Sequence, residues 1–299
     1  MTSLDDNHKA ADSYSEHICY NLNKLKTCRV QHVDFSDRHA QALATALRAL
    51  RGNRIRKLEI YKCPLLSSRG ISFVVDALSQ VYVERLDLSS VHVGDEGMQA
   101  ITQLIEASPC LTWLSLEDIG PISLPAWSRF FLAAMSSFHL KSLELSRNEL
   151  FEEHMTPLAN GLRNNTTLES LILSENPIGD EGVEVLCRHA LTRNSSMMLL
   201  ALGDCEITER GLHFLLQCLR GNFTSLERLY LYANPLDESS AEKAEVTYWL
   251  DLNALGRGYF RNEDCQSELI PRILTRSRNS PKLLYGLLQE LPHVWVRKN

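Results

Sequence analysis

No run of about 18 apolar residues occurs anywhere in the 299-residue chain, so no segment reads as a membrane-spanning helix. The first residues, Met1 to Asp12, are polar and acidic, unlike the basic-then-apolar pattern of a secretory signal. Basic charge is also short. Lys and Arg number 31 against 37 Asp and Glu, a formal charge of -6, without the basic face that a general nucleic-acid binder needs. The eight cysteines (19, 28, 63, 110, 187, 205, 218 and 265) contain no C-x-x-C pair. That excludes a dense disulfide scaffold and closely paired zinc ligands.

Catalytic signatures are missing as well. There is no G-x-x-x-x-G-K-[ST] phosphate loop, no H-E-x-x-H helix and no G-x-S-x-G elbow. Gly256–Arg257–Gly258 is too short for a phosphate cradle. The ten histidines are scattered, and His154 and His189 are expected on outer helices as solvated residues. The carboxylates Asp180 and Glu181 fall where a helix should start, which favours capping over acid–base work. Sequons at Asn164, Asn165, Asn194 and Asn222 read as polar turns. These features point to no catalytic residue, no metal and no cofactor. They predict a reducing compartment, the cytoplasm with the nucleus as the alternative.

What the chain does have is a repeat. It is 44% hydrophobic and 23% charged, an ordinary globular balance. The pattern L-x-x-L-x-L begins at Val30, Ile55, Val83, Leu111, Leu140, Leu168, Met197 and Leu226, at intervals of 25, 28, 28, 29, 28, 29 and 29 residues. Such a period belongs to leucine-rich repeats. Each unit predicts a short strand followed by a helix. Leu171 and Leu173 alternate into a core while Ser170, Ile172 and Ser174 face out. Gly179–Asp180–Glu181–Gly182 then opens a helix whose apolar face is Val183, Leu186, Cys187 and Leu191. The same plan appears at Gly94–Asp95–Glu96–Gly97 and, with Thr208 as N-cap, at Glu209–Arg210–Gly211; the acids and hydroxyls are expected to accept first-turn N–H groups. The small residue at Gly70, Gly97, Gly182 and Gly211 is expected to let helix and strand approach. The ninth position is Asn at 148, 176 and 234 and Cys at 63 and 205, where a polar side chain can satisfy a turn. Arg38, Val91 and Ile119 break that pattern.

A 28–29-residue period with a full helix per unit and Asn/Cys alternation resembles the ribonuclease-inhibitor-like class of leucine-rich-repeat proteins. The resemblance covers about residues 30–254. It implies an α/β fold, a right-handed β/α horseshoe with one parallel sheet on the concave face and helices on the convex face. The stretch from Tyr248 through Leu250, Leu252 and Leu255 to Arg257, with the leucine-rich helix after it, is similar to the ends of uncharacterised leucine-rich-repeat proteins from diatoms and related algae. A solenoid needs its ends covered. Residues 1–29 are assigned as an N-terminal cap, with Ile18, Leu22 and Leu25 at helical spacing, and 255–299 as a helical C-terminal cap. Within it, Asn262 to Thr275 and Ser280 to Leu291 predict helices, and Thr247 to Leu252 a ninth strand.

The outward strand positions should form three rows across the sheet. One runs His32, Lys57, Arg85, Trp113, Ser142, Ser170, Leu199, Arg228, and the next Asp34, Glu59, Asp87, Ser115, Glu144, Ile172, Ala201, Tyr230. The third runs Ser36, Tyr61, Ser89, Glu117, Ser146, Ser174, Gly203, Tyr232. Lys57 is expected to pair with Glu59 and Arg85 with Asp87. Trp113 is expected to stay partly exposed as an interface anchor. The candidate protein-binding residues are therefore Lys57, Glu59, Tyr61, Arg85, Asp87, Trp113, Glu144, Arg228, Tyr230 and Tyr232. The expected function is a non-enzymatic, monomeric scaffold that presents this face to another protein, with no nucleic acid and no membrane as partner. Two alternatives come from the resemblance: ribonuclease inhibition, and activation of the Ran GTPase. The chain has fewer repeats and cysteines than the inhibitor, and its end, Val296–Arg297–Lys298–Asn299, is not the acidic tail of the activator.

Overall fold

Alternation of apolar and polar residues over three or four positions makes each strand, and an apolar stripe, capped by Ser67, Ser123, Thr208 or Ser240 in four cases, makes most helices. The structure, a computed structural model, describes residues 20, 24, 26–31, 34–237, 239–258, 275 and 280–289. Besides a short parallel pair, Arg54–Ile55 with Tyr82–Val83, its strands are β1 (Thr27–Val30), β2 (Lys57–Ile60), β3 (Arg85–Asp87), β4 (Trp113–Ser115), β5 (Ser142–Glu144), β6 (Ser170–Ile172), β7 (Leu199–Ala201) and β8 (Arg228–Tyr230). All eight pair parallel, in sequence order, in one sheet. Between them run α1 (Asp37–Ala49), α2 (Ser68–Leu78), α3 (Gly94–Ala107), α4 (Leu124–Ser136), α5 (Glu152–Leu162), α6 (Gly179–His189) and α7 (Glu209–Arg220). Helices α8 (Ala241–Ala254) and α9 (Pro281–Gln289) follow the last strand. Each helix from α1 to α8 packs on the next. Strands sit about 4.8 Å apart, whereas packed helices need roughly 8–10 Å. The strand side therefore spans the shorter arc, and the sheet becomes the concave face.

One inward position per strand forms a continuous ladder. Leu58, Leu86, Leu114, Leu143, Leu171 and Leu200 are in register and fully buried. Each contributes roughly 1.5–3 kcal/mol by leaving water. The unusual unit is the one with α4, where Trp127 stacks on Phe131 at 5.3 Å and meets Phe130 edge-on at 5.6 Å.

The turns between strand and helix are closed by side chains of the neighbouring unit. Asn176 accepts from the backbone N–H of Asn148 (2.9 Å) and Leu150 (3.1 Å), and donates to the carbonyls of Leu145 and Leu173. Asn148 does the same one unit earlier, accepting from Ile119 N–H, which is how that departure from the pattern is satisfied. Asn234 accepts from Cys205 and Ile207. Cys63 and Cys205 donate to strand carbonyls, and burial pushes the Cys205 thiol up to about 11. The described cysteines are free thiols; Cys19 and Cys265 lie outside the described residues. Beyond the ends of α5 and α6 and near the end of α8, buried Asn165, Asn194 and Asn253 bond backbone carbonyls of the preceding unit, so two of the sequon asparagines are internal turn residues.

Several expectations are corrected. The acids at helix starts reach forward rather than capping their own helix: Asp180 accepts from Thr208 N–H (2.8 Å), Thr208 Oγ1 (2.5 Å) and Gly211 N–H (2.9 Å). Asp37 and Asp95 do likewise with Ser67 and Ser123. Gly70 and Gly211 are small for that reason, since a Cβ would come within 2.3 Å and 2.4 Å of the Asp37 and Asp180 carboxylates. The strand of the first unit is Thr27–Val30, so Val30 ends that strand instead of opening the pattern. Cys28 and Val30 point inward, Arg29 pairs with Glu59, and Ser36 caps α1. The short first interval of 25 residues was the mark of this slip; Asp34 and Ser36 leave the rows, and His32 lies outside the described residues. Arg38 is accordingly in α1 and occupies no ninth position. Thr247 to Leu252 is helical, inside α8, because Ser240 caps the segment by accepting from Lys243 N–H. His154 is buried rather than solvated, its Nδ1 accepting from Phe151 N–H at 3.1 Å, whereas His189 is exposed.

At the ends, Arg257 is fully buried. It donates to the carbonyls of Leu219, Arg220 and Gly221, the open end of α7, and lies 4.3 Å from the Trp249 ring. That is a helix C-cap by a cation. Leu287 of α9 is buried against α8 beside Leu252 and Tyr248. The expected N-terminal residues Ile18, Leu22 and Leu25 and, apart from Thr275, the helix at 262–275 lie outside the described residues.

Leu143→Ala and Leu171→Ala should each cost roughly 2–5 kcal/mol in urea unfolding, the range for buried leucine truncation. Since units stack only on their neighbours, damage at mid-solenoid should broaden or split the transition. A midpoint within experimental error of wild type for either variant would show that the ladder does not carry the core.

Candidate functional site: the concave sheet face

Alternation leaves every second strand residue on the concave side, and register puts the same position of successive units in a row. Strand pairing matches Lys57, Arg85, Trp113, Ser142, Ser170, Leu199 and Arg228 as neighbours, as the sequence predicts from β2 onward. The second row runs Glu59, Asp87, Ser115, Glu144, Ile172, Ala201, Tyr230.

The N-terminal end is a charge cluster around one indole. The Arg85 guanidinium lies 4.7 Å and the Lys57 ammonium 5.7 Å from the centre of the half-buried Trp113 ring. Contacts of this kind contribute about 0.5–1 kcal/mol at exposed sites. The expected Arg85–Asp87 pair does not form. Asp87 instead accepts from Ser89 N–H and Oγ (3.1 and 2.6 Å), leaving Arg85 exposed over the indole. The Lys57–Glu59 pair does form at 2.8 Å. Arg29, which the sequence analysis missed through the first-unit slip, grips both Glu59 oxygens at 3.0 Å. Burial pushes the Glu59 carboxyl up, but hydrogen bonds from Arg29 and Lys57 outweigh it and hold the carboxyl below its ordinary value. Tyr61 donates to Gln31 and carries Arg29 5.6 Å from its ring.

The middle of the face is small and mostly uncharged. Ser142, Ser170, Ile172 and Leu199 are half-buried, and Ser115, Ser146, Ser174 and Ala201 are buried. Glu144 stands out among them. Burial, with Glu117 and Asp87 nearby, raises its carboxyl above the usual range despite hydrogen bonds from Ser146. At the C-terminal end Arg228, Tyr230 and Tyr232 are exposed, the two tyrosines by 45% and 55%. The sheet therefore separates the Trp113 group from the tyrosine group; they are not one cluster.

Sequence reasoning overlooked the rim above these rows. Lys62, Ser90, Asp118, Arg147, Glu175, Asp204 and Ala233 each take a left-handed backbone conformation, φ between 51 and 61, where the chain leaves the strand. The signal was present as the position one residue beyond the third row. Arg147 lies 3.7 Å from Glu117 and 3.6 Å from Glu175. Among the described residues no group of three His, Cys, Asp or Glu is placed to hold a metal ion, and no helix is long and apolar enough to cross a membrane.

A family model described as Leucine Rich repeat matches residues 81–101 and 164–187. Over 186 residues, or 52% of this chain and 15% of the relative, the sequence is 25% identical to human NACHT, LRR and PYD domains-containing protein 5. It is also 25% identical to pig Ribonuclease inhibitor over 222 residues, 73% of this chain and 47% of that protein. The chain thus spans less than half the length of either relative. Among solved structures, Leiomodin-1 Actin-Binding Site 2 aligns at a TM-score of 0.40 and 20% identity, covering 53% of this chain and 82% of its own. Repeat period, sheet and the leucine-rich-repeat matches together support an α/β leucine-rich-repeat solenoid similar to Ribonuclease inhibitor.

The raised Glu144 carboxyl gives a pH test. A folded-state value above the unfolded one means that the native state binds the extra proton, so ionisation at neutral pH costs stability and the cost vanishes as pH falls below the ordinary carboxylate value of about 4.3. Glu144→Gln should therefore raise Tm at pH 7 and match wild type near pH 4. An equal Tm for the two proteins at pH 7 would contradict the raised value.

Proposed function

We propose that the protein is a non-enzymatic scaffold that binds another protein through its concave face. The observation carrying this reading is Trp113. A half-exposed indole, held by Arg85 and by Lys57, sits on β4 in the middle of the eight-stranded face, where anchor residues concentrate. The stacked core already holds these side chains in place, so little ordering entropy opposes association. Arg85 and the exposed Arg228, Tyr230 and Tyr232 are residue types that interfaces favour. The same reading places the protein in the cytoplasm as a monomer without a cofactor.

Likeness to Ribonuclease inhibitor supports a second reading, inhibition of a ribonuclease by the same face. A ribonuclease assay with purified protein separates the two, since lost nuclease activity supports inhibition and undiminished activity favours the scaffold.

A photo-crosslinking residue at Ser142, beside Trp113, should capture a cellular partner that the same residue at Arg129 on exposed α4 does not. With that partner in hand, Trp113→Ala should lose about 2 kcal/mol or more of binding, while Ser170→Ala changes little. The Trp113→Ala variant should lose less stability than Leu143→Ala. Unaltered affinity together with unfolding would make Trp113 structural and move the search to Arg228, Tyr230 and Tyr232 or to the convex helices.

A further inference from the structure

Between Trp113 and the tyrosines the concave face is a trough. Its floor is Ser142, Ser170, Ile172 and Leu199 on β5, β6 and β7, with the largely buried Glu144 beside Ile172 as its one acid. One wall is Trp113, whose ring carries the Arg85 guanidinium at 4.7 Å. The other leans inward: the Tyr232 ring lies over Gly203, where an added Cβ would come within 2.3 Å of it. From the Trp113 column to the Gly203 column is three strand spacings, about 14 Å. An α-helix with its side chains is about 10–12 Å across, so one helix fills the trough and a lone extended strand leaves floor uncovered.

The rim at the carboxyl ends of these strands is acidic. Glu117, Asp118, Glu149, Glu175, Asp204 and Glu206 stand there, with Arg147 between Glu117 and Glu175. Arg147, Glu149, Glu175, Asp204 and Glu206 line a single open hollow of about 420 Å³ with Pro177. Among the described residues Glu149, Asp204 and Glu206 have no ion-pair partner, and all three are exposed. Repulsion among them is relieved by a basic group from outside.

We propose that the trough takes one α-helix of a partner protein, lying along the strands. Its apolar stripe meets Ile172 and Leu199, and its lysine or arginine side chains meet the acidic rim. The helix runs with its amino end at the rim, where the positive end of its dipole adds to the attraction. This deepens the concave-face reading and rests on it.

The test is selection of a displayed library of helix-forming peptides of ~18 residues, about five turns, unbiased in charge, on the full chain. Enriched peptides should be net basic, with apolar residues at i, i+3 or i+4, and i+7. The best of them should bind at least about tenfold more weakly to Ser170→Trp, which fills the floor, and to the Asp204→Lys, Glu206→Lys double variant, and more weakly in high salt. Circular dichroism checks that both variants fold, and the surface double variant keeps the test open if Ser170→Trp does not. Enrichment of acidic or extended peptides, no enrichment, or equal binding to a folded variant would overturn the proposal. So would a crosslink from Ser142 to this chain's own terminal residues. A Trp113-dependent cellular partner alongside a library that yields no helix would sink the helical occupant and leave the concave binding face standing.

Discussion

The structure depends on one constraint: backbone groups buried where a strand turns into a helix must be hydrogen-bonded, and the unit that owns them cannot do it alone. Asn176 closes the turn of the unit before it, Asn148 the one before that, and Asn234 serves Cys205 and Ile207. A second set, from Asp37, Asp95 and Asp180, fastens the start of the following helix. Each unit is thus completed by its neighbours on both sides. An unpaired buried polar group costs about 1–3 kcal/mol, comparable with one leucine of the ladder. The polar bridges therefore set the register in which the leucines stack.

Rigid stacking has a consequence for the concave face. Once the inward positions are locked, the outward ones become straight rows whose spacing no side chain can alter. Charges then settle with whichever neighbour the rows provide. Glu59 is claimed twice, by Lys57 and by Arg29 across the strand, while Asp87 turns to Ser89 in its own chain segment. Arg85 is left with the Trp113 ring. The N-terminal part of the face is thus internally satisfied around an indole, and the acidic rim farther along has Arg147 as its cation. The ends obey the same rule as the middle. Arg257, in a stretch that is too short for a phosphate cradle, closes the carbonyls at the end of α7, past the last strand among the described residues.

The fold was legible in the sequence because its determinants are local and repeated. The L-x-x-L-x-L spacing, the helix-start signals and the Asn/Cys position each recur, so period and element type follow from residue chemistry alone, and the rows from Lys57 to Arg228 with them. The slip at the first unit shows where that logic fails. Val30, Val33 and Phe35 mimic the motif, and only pairing of Arg29 with Glu59 distinguishes the true strand. The strand expected at Thr247 to Leu252 failed likewise, because an apolar run of that length suits either element until the cap at Ser240 and packing on α7 decide.

Sequence by itself determined the repeat, its strand–helix plan, the buried leucine ladder and which residues face the concave side. Tertiary structure alone decided the partners: that Arg85 stacks on Trp113 instead of pairing with Asp87, that the helix-start aspartates serve the next unit, and that His154 is buried. It also drew Glu149, Glu175, Asp204 and Glu206 into one rim around Arg147. The physical reason is range. Periodicity and capping act within a few residues of the chain, whereas the contacts of Arg85 and of the aspartates join residues about one repeat apart, whose distance is set only when the units stack.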